Sequence, residues 1–334
     1  MSTAAAVVLF VGVTAYAVLG GADFGAGFWD LVAGGARRGE RPREVIDHSI
    51  GPVWEANHVW LIYVFVVLWT CFPAAYESIT LTLFVPLALA AFGIVLRGSG
   101  FAFRKVVLRT RDKRNFGAAF AASSVLVPYC MGAVAGGIAS GRVPDGRAGD
   151  MWTSWINPTS VLGGVLAVCV VAYLAAVYLV RDSRRLGDDA MVAYFRTRAI
   201  ATAVVAGVVA GVGVFVLAAD ADRLFDGLTS RALPVVVLSA LAGLGSLVLL
   251  VRRSERGGRE LAALAVAAVV VAWGVAQWDD MLPGSLTVAE AAAPDGTLGA
   301  VLVATGLAVV FIFPALGLLY RLDQKGLLPE EGAP

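Results

Sequence analysis

The chain has 334 residues, 59% of them hydrophobic and only 15% charged, with a mean hydropathy of +0.79. Soluble domains carry roughly 25% charged residues, so this composition excludes an ordinary water-soluble fold and indicates a polytopic membrane protein. A net charge of +1 gives no overall pull toward nucleic acid, although it conceals a strong local asymmetry.

Met1-Ser2-Thr3 carries no basic residue, and the first apolar run outlasts a signal-peptide core, so no cleavable leader is expected. A membrane span needs about 20 mostly apolar residues. Nine such segments are predicted, at 4–31, 55–76, 78–98, 116–139, 159–180, 198–219, 232–251, 260–278 and 298–320. Pro73 and Glu77 are placed in a turn between the second and third, with a single bent segment as the competing reading. Cys71, Cys130 and Cys169 lie inside apolar runs without metal-site spacing, and are read as small buried hydrophobes. Gly132/Gly136 and Gly207/Gly211 have the small-xxx-small spacing of close helix packing. Trp152 and Trp155 before the fifth span, and Trp273 and Trp278 at the end of the eighth, read as interfacial anchors.

The charges test this layout independently. The connections 36–47, 97–114, 181–198, 252–259 and 321–325 hold 22 of the 26 Lys and Arg residues. The alternate connections hold only Arg142, Arg147, Arg223 and Arg231, and are otherwise acidic, with Asp220, Asp222, Asp226, Asp279 and Asp280. The positive-inside rule makes the basic side cytoplasmic, with the N-terminus outside, the C-terminus inside and an odd number of spans. No connection is long enough for a soluble domain, so any chemistry belongs to the membrane core, its margins or another subunit.

Polar groups inside such a core are expensive and by default mark a functional path. The first is Asp23, set among Gly20, Gly21, Gly25 and Gly27, which thin the helix and permit close approach or a local break. Two readings stand for it, a buried acid that carries protons and an interfacial acid paired with Arg37 or Arg38. The second group is the stretch Trp54-Glu55-Ala56-Asn57-His58, which leads without a break into an apolar run. On a helix Glu55 and His58 share a face. A carboxyl shielded from water can exchange protons near neutrality, and Asn57, His58 and water would complete a relay from Glu55. The competing reading is a structural hydrogen-bonded cluster. A haem ligand role for His58 lacks a second intramembrane imidazole, because the other histidine, His48, lies in a basic segment. Arg97 and Arg104, flanking Gly98-Ser99-Gly100, read as cations snorkelling to the basic face, with a grip on a partner subunit or an anionic lipid as the alternative for them and for the other basic loops.

These residues resemble a known family, subunit II of the cytochrome bd-type quinol oxidases. The likeness is carried by Gly21-Ala22-Asp23-Phe24-Gly25-Ala26-Gly27 and above all by Pro52-Val53-Trp54-Glu55-Ala56-Asn57-His58-Val59-Trp60-Leu61-Ile62. Phe72-Pro73-Ala74-Ala75-Tyr76, Arg97-Gly98-Ser99-Gly100-Phe101-Ala102-Phe103-Arg104, Asn157-Pro158 and Arg196-Thr197-Arg198-Ala199 follow in the expected order.

The resemblance implies an all-α chain of about nine helices, packed as two four-helix bundles (roughly 1–139 and 159–320) plus a peripheral helix, in one membrane-embedded domain over 1–334. It implies a bacterial cytoplasmic membrane location and a partner, subunit I, that holds haems b and d, the quinol site and oxygen reduction. This chain would bind no haem or metal and supply no catalytic residue. It would stabilise its partner and lend part of a proton path through Glu55, with Asp23, Asn57 and His58 behind it. Trp54, Trp60, Arg97, Gly100 and Arg104 are motif positions of structural character. Small accessory subunits, membrane lipid and a structural quinone are further candidates for contact. Three departures stand out: Glu55 where many members have Asp, His58 where others have Glu or Gln, and Ala102 where others have an acid. The last removes a group that would pass protons onward. A proton-coupled transporter is the alternative function, since it too places acids and glycine breaks within spans.

Overall fold

The structure, a computed structural model, describes the backbone of residues 1–50, 54–106 and 110–324. Within these ranges the side chains of 36, 50, 54–56, 101, 104–106, 110–115, 313, 316, 320, 323 and 324 fall outside the described set. Helix α1 (Ser2–Ala15) passes through a π turn at Tyr16–Gly20 into α2 (Gly21–Val32), forming one apolar rod over Ser2–Val32. The polar helix α3 (Ala36–Ile50) follows, then α4 (Trp54–Cys71), α5 (Pro73–Thr82), α6 (Phe84–Val106) and α7 (Thr110–Ala139). The second half comprises α8 (Pro158–Arg185), α9 (Asp189–Asp220), the short α10 (Asp222–Thr229), α11 (Leu233–Val251) and α12 (Gly258–Gln277). A two-stranded hairpin, β1 (Asp280–Leu282) and β2 (Leu286–Thr287), leads through α13 (Val288–Ala291) into α14 (Asp295–Gln324).

Among the described residues seven helices are long and apolar enough to cross a membrane: the α1–α2 rod, most of α7, then α8, α9, α11, α12 and most of α14. The predicted second and third spans take a different form. Helix α4 ends at Cys71, α5 leaves it at an angle of 117°, and the apolar part of α6 is the shorter Phe84–Gly100. The break falls at Phe72, whose φ of −137° and ψ of 61° leave the helical region. Pro73 causes it: proline has no amide to donate, and its ring pushes the preceding residue out of the helical conformation. Glu77 therefore lies inside a helix and not in a turn. Helix α5 is tied down by the connection between α7 and α8, with the Gly146 amide donating to Ser78 Oγ at 3.2 Å and the Gly149 amide to Thr82 Oγ1 at 2.9 Å.

The connections sort onto two ends as the charges predict. At the basic end Arg41 of α3 bonds Asp188 at 2.7 Å, and Arg184 donates to the Ser254 carbonyl at 2.9 Å, linking three basic connections. At the other end Arg142 grips Asp220 through two bonds of 2.6 and 3.2 Å, and Asp220 also accepts from the amide and hydroxyl of Thr159.

The core centres on α8, whose stretch Val171–Val177 is buried on every side. Glycine permits the close crossings around it. An added Cβ at Gly25 would run into the Val171 carbonyl of α8, and one at Gly132 into the Gly163 backbone. The predicted pair Gly132/Gly136 thus packs α7 on α8. The pair Gly207/Gly211 packs on no other helix among the described residues: both lie exposed on α9, and an added Cβ would meet nothing within 4 Å beyond the helix's own backbone. Cys71 and Cys130 are buried, and Cys169 is partly so, as expected of small hydrophobes.

Candidate functional site

Three elements bring the intramembrane polar residues together. The π turn widens the first rod at Tyr16–Gly20, just before the Gly21–Gly27 stretch that carries Asp23. Such turns shift the main-chain ladder locally and recur at functional sites. Helix α4 passes close to it, and Asn57 Nδ2 donates to Asp23 Oδ2 at 2.7 Å and to the Leu19 carbonyl of the π turn at 3.3 Å. Asp23 and Asn57 are each only 4% exposed.

The third element is α6, which supplies Arg97. The side chain is 1% exposed, so it does not snorkel to the surface as the sequence led us to expect. Its Nη2 donates to the Asp23 main-chain carbonyl at 2.8 Å, and its Nε donates to Ser124 Oγ of α7 at 3.2 Å. Its guanidinium carbon lies 4.7 Å from the ring centroid of Phe24 and 5.0 Å from that of Phe120. A buried cation is tolerable only with such partners. Gly100, one turn further along α6, keeps α6 close to α7, since an added Cβ would meet the Phe116 carbonyl and the Phe120 backbone.

Of the other sequence-predicted residues, His58 is partly buried with its ring 6.0 Å from that of Phe24, on the margin of the cluster. Trp60 packs edge-on to Tyr63 at 6.3 Å, and the Tyr63 hydroxyl reaches Thr305 Oγ1 of α14 at 3.2 Å. Glu55 and Trp54 belong to the first turn of α4, but their side chains lie outside the described residues, as does that of Arg104. Position 55 precedes Asn57 by two residues and so occupies a different face of the helix. Ala102 is exposed.

The proposed pairing of Asp23 with Arg37 or Arg38 is overturned. Asp30 of the same helix takes the loop cation instead: Arg43 Nε donates to Asp30 Oδ1 at 2.6 Å, with Asp30 4% exposed. Sequence reasoning passed over Asp30 and Ser124. Both left a signal. Asp30 follows Asp23 by seven residues, two helical turns on the same face, and Ser123-Ser124 is a hydroxyl pair inside an apolar span.

His48 sits on the exposed side of α3, whereas His58 packs beside Phe24. The two imidazoles belong to different environments and do not form the paired ligands of a haem. Among the described residues no group of three or more His, Cys, Asp or Glu side chains is placed to hold a metal.

Fold and site together define an all-α integral membrane protein whose polar chemistry is enclosed by its own helices. The particular kind follows from comparison: residues 1–323 match the family "Cytochrome bd terminal oxidase subunit II", and the chain belongs to it. It is 28% identical over 201 residues to the cytochrome bd-I ubiquinol oxidase subunit 2 of Escherichia coli (strain K12), covering 58% of this chain and 50% of that protein. It is 29% identical over 163 residues to the cytochrome bd ubiquinol oxidase subunit 2 of Bacillus subtilis (strain 168), covering 47% and 46%. The chain thus spans about half the length of the curated relatives it matches. The structure of bd oxidase from Geobacillus thermodenitrificans shares the fold, with a TM-score of 0.77 at 23% identity over 96% of this chain and 98% of that one.

Proposed function

We propose that the chain is the non-haem subunit of a terminal oxidase that oxidises quinol and reduces O2 to water, and that it stabilises a haem-bearing partner while helping protons enter from the cytoplasm. Family membership and the relatives' names as ubiquinol oxidase subunits support the first part. The observation that carries the second is the 2.7 Å bond between Asn57 and Asp23 inside an apolar bundle.

The geometry suits a carboxyl that changes charge without disturbing its surroundings. Asn57 occupies Oδ2 of Asp23, so a proton held on Oδ1 leaves that bond intact. Arg97 donates to the main-chain carbonyl of residue 23 and not to the carboxylate, so that hydrogen bond survives protonation while the through-space attraction between the two charges is lost. Glu55, on the first turn of α4 at the basic end, is the natural place for protons to arrive, with Asp23 and Asn57 as the next groups and His58 at the margin. The basic end faces the cytoplasm on the positive-inside rule, which puts the N-terminus outside and the C-terminus inside. The haems, which supply electron transfer and oxygen reduction when bound, belong to the partner in this reading. Nine crossings in two four-helix bundles plus a peripheral helix complete it.

The test uses the oxidase complex co-expressed with its partner. Glu55→Gln and Asp23→Asn should each lower turnover and proton uptake, by about a hundredfold if general acid–base transfer at that residue limits the rate. Wild-type turnover and uptake in both variants would overturn the proton role. A chain that purifies alone, colourless, and moves solutes would instead favour a proton-coupled transporter.

A further inference from the structure

The connection between α11 and α12 builds a second polar site, at the basic end and away from Asp23. A cleft of about 290 Å³ opens there between α8, the end of α11 and the start of α12. Four arginines line it: Arg181 and Arg184 from α8, Arg256 from the connection and Arg259 from the first turn of α12. Glu255 and Glu260 line it too, which leaves the cations in excess by two.

Two of these groups have uncharged neighbours, while the Asp182 carboxylate of α8 attracts Arg259 and Arg181 together with Arg185, a further cation outside the lining. Arg184 Nη1 donates to the Ser254 carbonyl at 2.9 Å, and the Arg259 guanidinium lies 4.1 Å from the Tyr178 ring centroid. Arg181 meets Glu260 at 3.6 Å, but both side chains are well exposed, at 42% and 66%, so this pair cancels little charge. Gly257, at φ 87°, turns the chain into α12 beside the same cleft. Besides Ser254 and Gly258, the lining is completed by the edges of the largely buried Val177, Val180 and Leu250, at the ends of α8 and α11.

A free anion would need the guanidinium groups alone. The apolar wall beneath them, at the ends of three helices long enough to cross a bilayer, fits a molecule that is anionic at one end and aliphatic at the other. Arginine clusters recognise phosphate through paired N–H donors, and basic pockets between membrane helices take lipid head groups. We infer that this cleft binds the phosphate of an anionic phospholipid, with its glycerol and first acyl carbons against Val177, Val180 and Leu250.

Native mass spectrometry of the complete complex in neutral detergent tests this, after delipidation and addition of phosphatidylglycerol or phosphatidylcholine. Phosphatidylglycerol should be retained and phosphatidylcholine not. Arg181→Gln/Arg256→Gln should weaken retention by about fivefold for each charge removed. Arg184 is left alone because it ties the connection in place. Glu255→Gln/Glu260→Gln should act in the opposite direction and tighten binding, so a misfolded arginine variant does not end the test. Excess inorganic phosphate should leave the lipid bound. Equal retention of the two lipids, unchanged binding in both double variants, or complete displacement by inorganic phosphate would each overturn the inference.

Discussion

Replacing Arg97 by lysine keeps the charge and most of the length, so it isolates what the guanidinium plane contributes. The fork makes two hydrogen bonds at once, 2.8 Å to the Asp23 carbonyl and 3.2 Å to Ser124 Oγ, while lying between two aromatic faces at 4.7 and 5.0 Å. A lysine ammonium is a single point and reaches one of these acceptors well. The lost bond from a charged donor is worth about 1.5–3 kcal/mol, and loss of one desolvated cation–π contact adds about 0.5–2 kcal/mol. Arg97→Lys is therefore expected to destabilise the purified complex by roughly 2–5 kcal/mol, and Arg97→Met by about as much, since it leaves both acceptors unmet. An unfolding titration in mixed detergent, followed by helix content, reads the shift. A lysine variant that unfolds with the wild type would refute the reasoning, because neither the fork nor the sandwich would then be holding α6 against α2.

Gly25→Ala should force α2 off α8 and cost about 1–3 kcal/mol, whereas Gly207→Ala, with nothing within 4 Å, should be neutral or slightly stabilising; the same titration compares them. Asp188 caps α9 by accepting from the Met191 amide at 3.0 Å and also bonds Arg41, and the two interactions hold its carboxyl below the ordinary aspartate range. Its contribution is thus complete above the usual value of about 3.9 and is lost as pH falls through the lower folded value; the protection of amides 189–192, measured against their intrinsic exchange rates at each pH, should fall in acid, and Asp188→Asn should remove that pH dependence. Asp220→Ala frees Arg142 and Thr159 together, so limited proteolysis within 140–157 should speed up while turnover of the proposed oxidase stays unchanged.

What the sequence disclosed depended on whether solvent or neighbours imposed it. The bilayer demands long apolar runs and sorts cations to one side, and both demands are written locally, which is why the connections fall on the two ends that the charges assign them. Helix α5 escaped because its breaker was recognised but its direction was not: Pro73 says that a helix stops, while the 117° turn depends on Ser78 and Thr82 meeting amides at Gly146 and Gly149. Arg97 looked like a surface cation because it stands at the head of a connection that goes on to Arg104, Lys105 and further cations, and the rings and hydroxyl that permit its burial come from Phe24, Phe120 and Ser124 on other helices. Among the residues flagged around position 57, only the register of α4 against the π turn could select Asn57 as the partner of Asp23.

That selection bears on why the polar cluster persists in so apolar a chain. An acid whose only role was to pair with Arg97 would place the guanidinium on its carboxylate, where loss of charge would release it. Here the guanidinium bond goes to the main-chain carbonyl of residue 23 and to Ser124, and Asn57 leaves one carboxyl oxygen of Asp23 outside its own bond. The hydrogen bonds of the scaffold thereby do not depend on the charge of the acid, although the carboxylate and the buried guanidinium still attract each other through space. If that is the purpose of the arrangement, Asp23→Asn should fold and assemble with its partner as the wild type does while losing proton uptake, whereas Arg97→Met should fail in assembly first. A common loss of assembly in both variants would mean that the cluster serves only to hold the helices together.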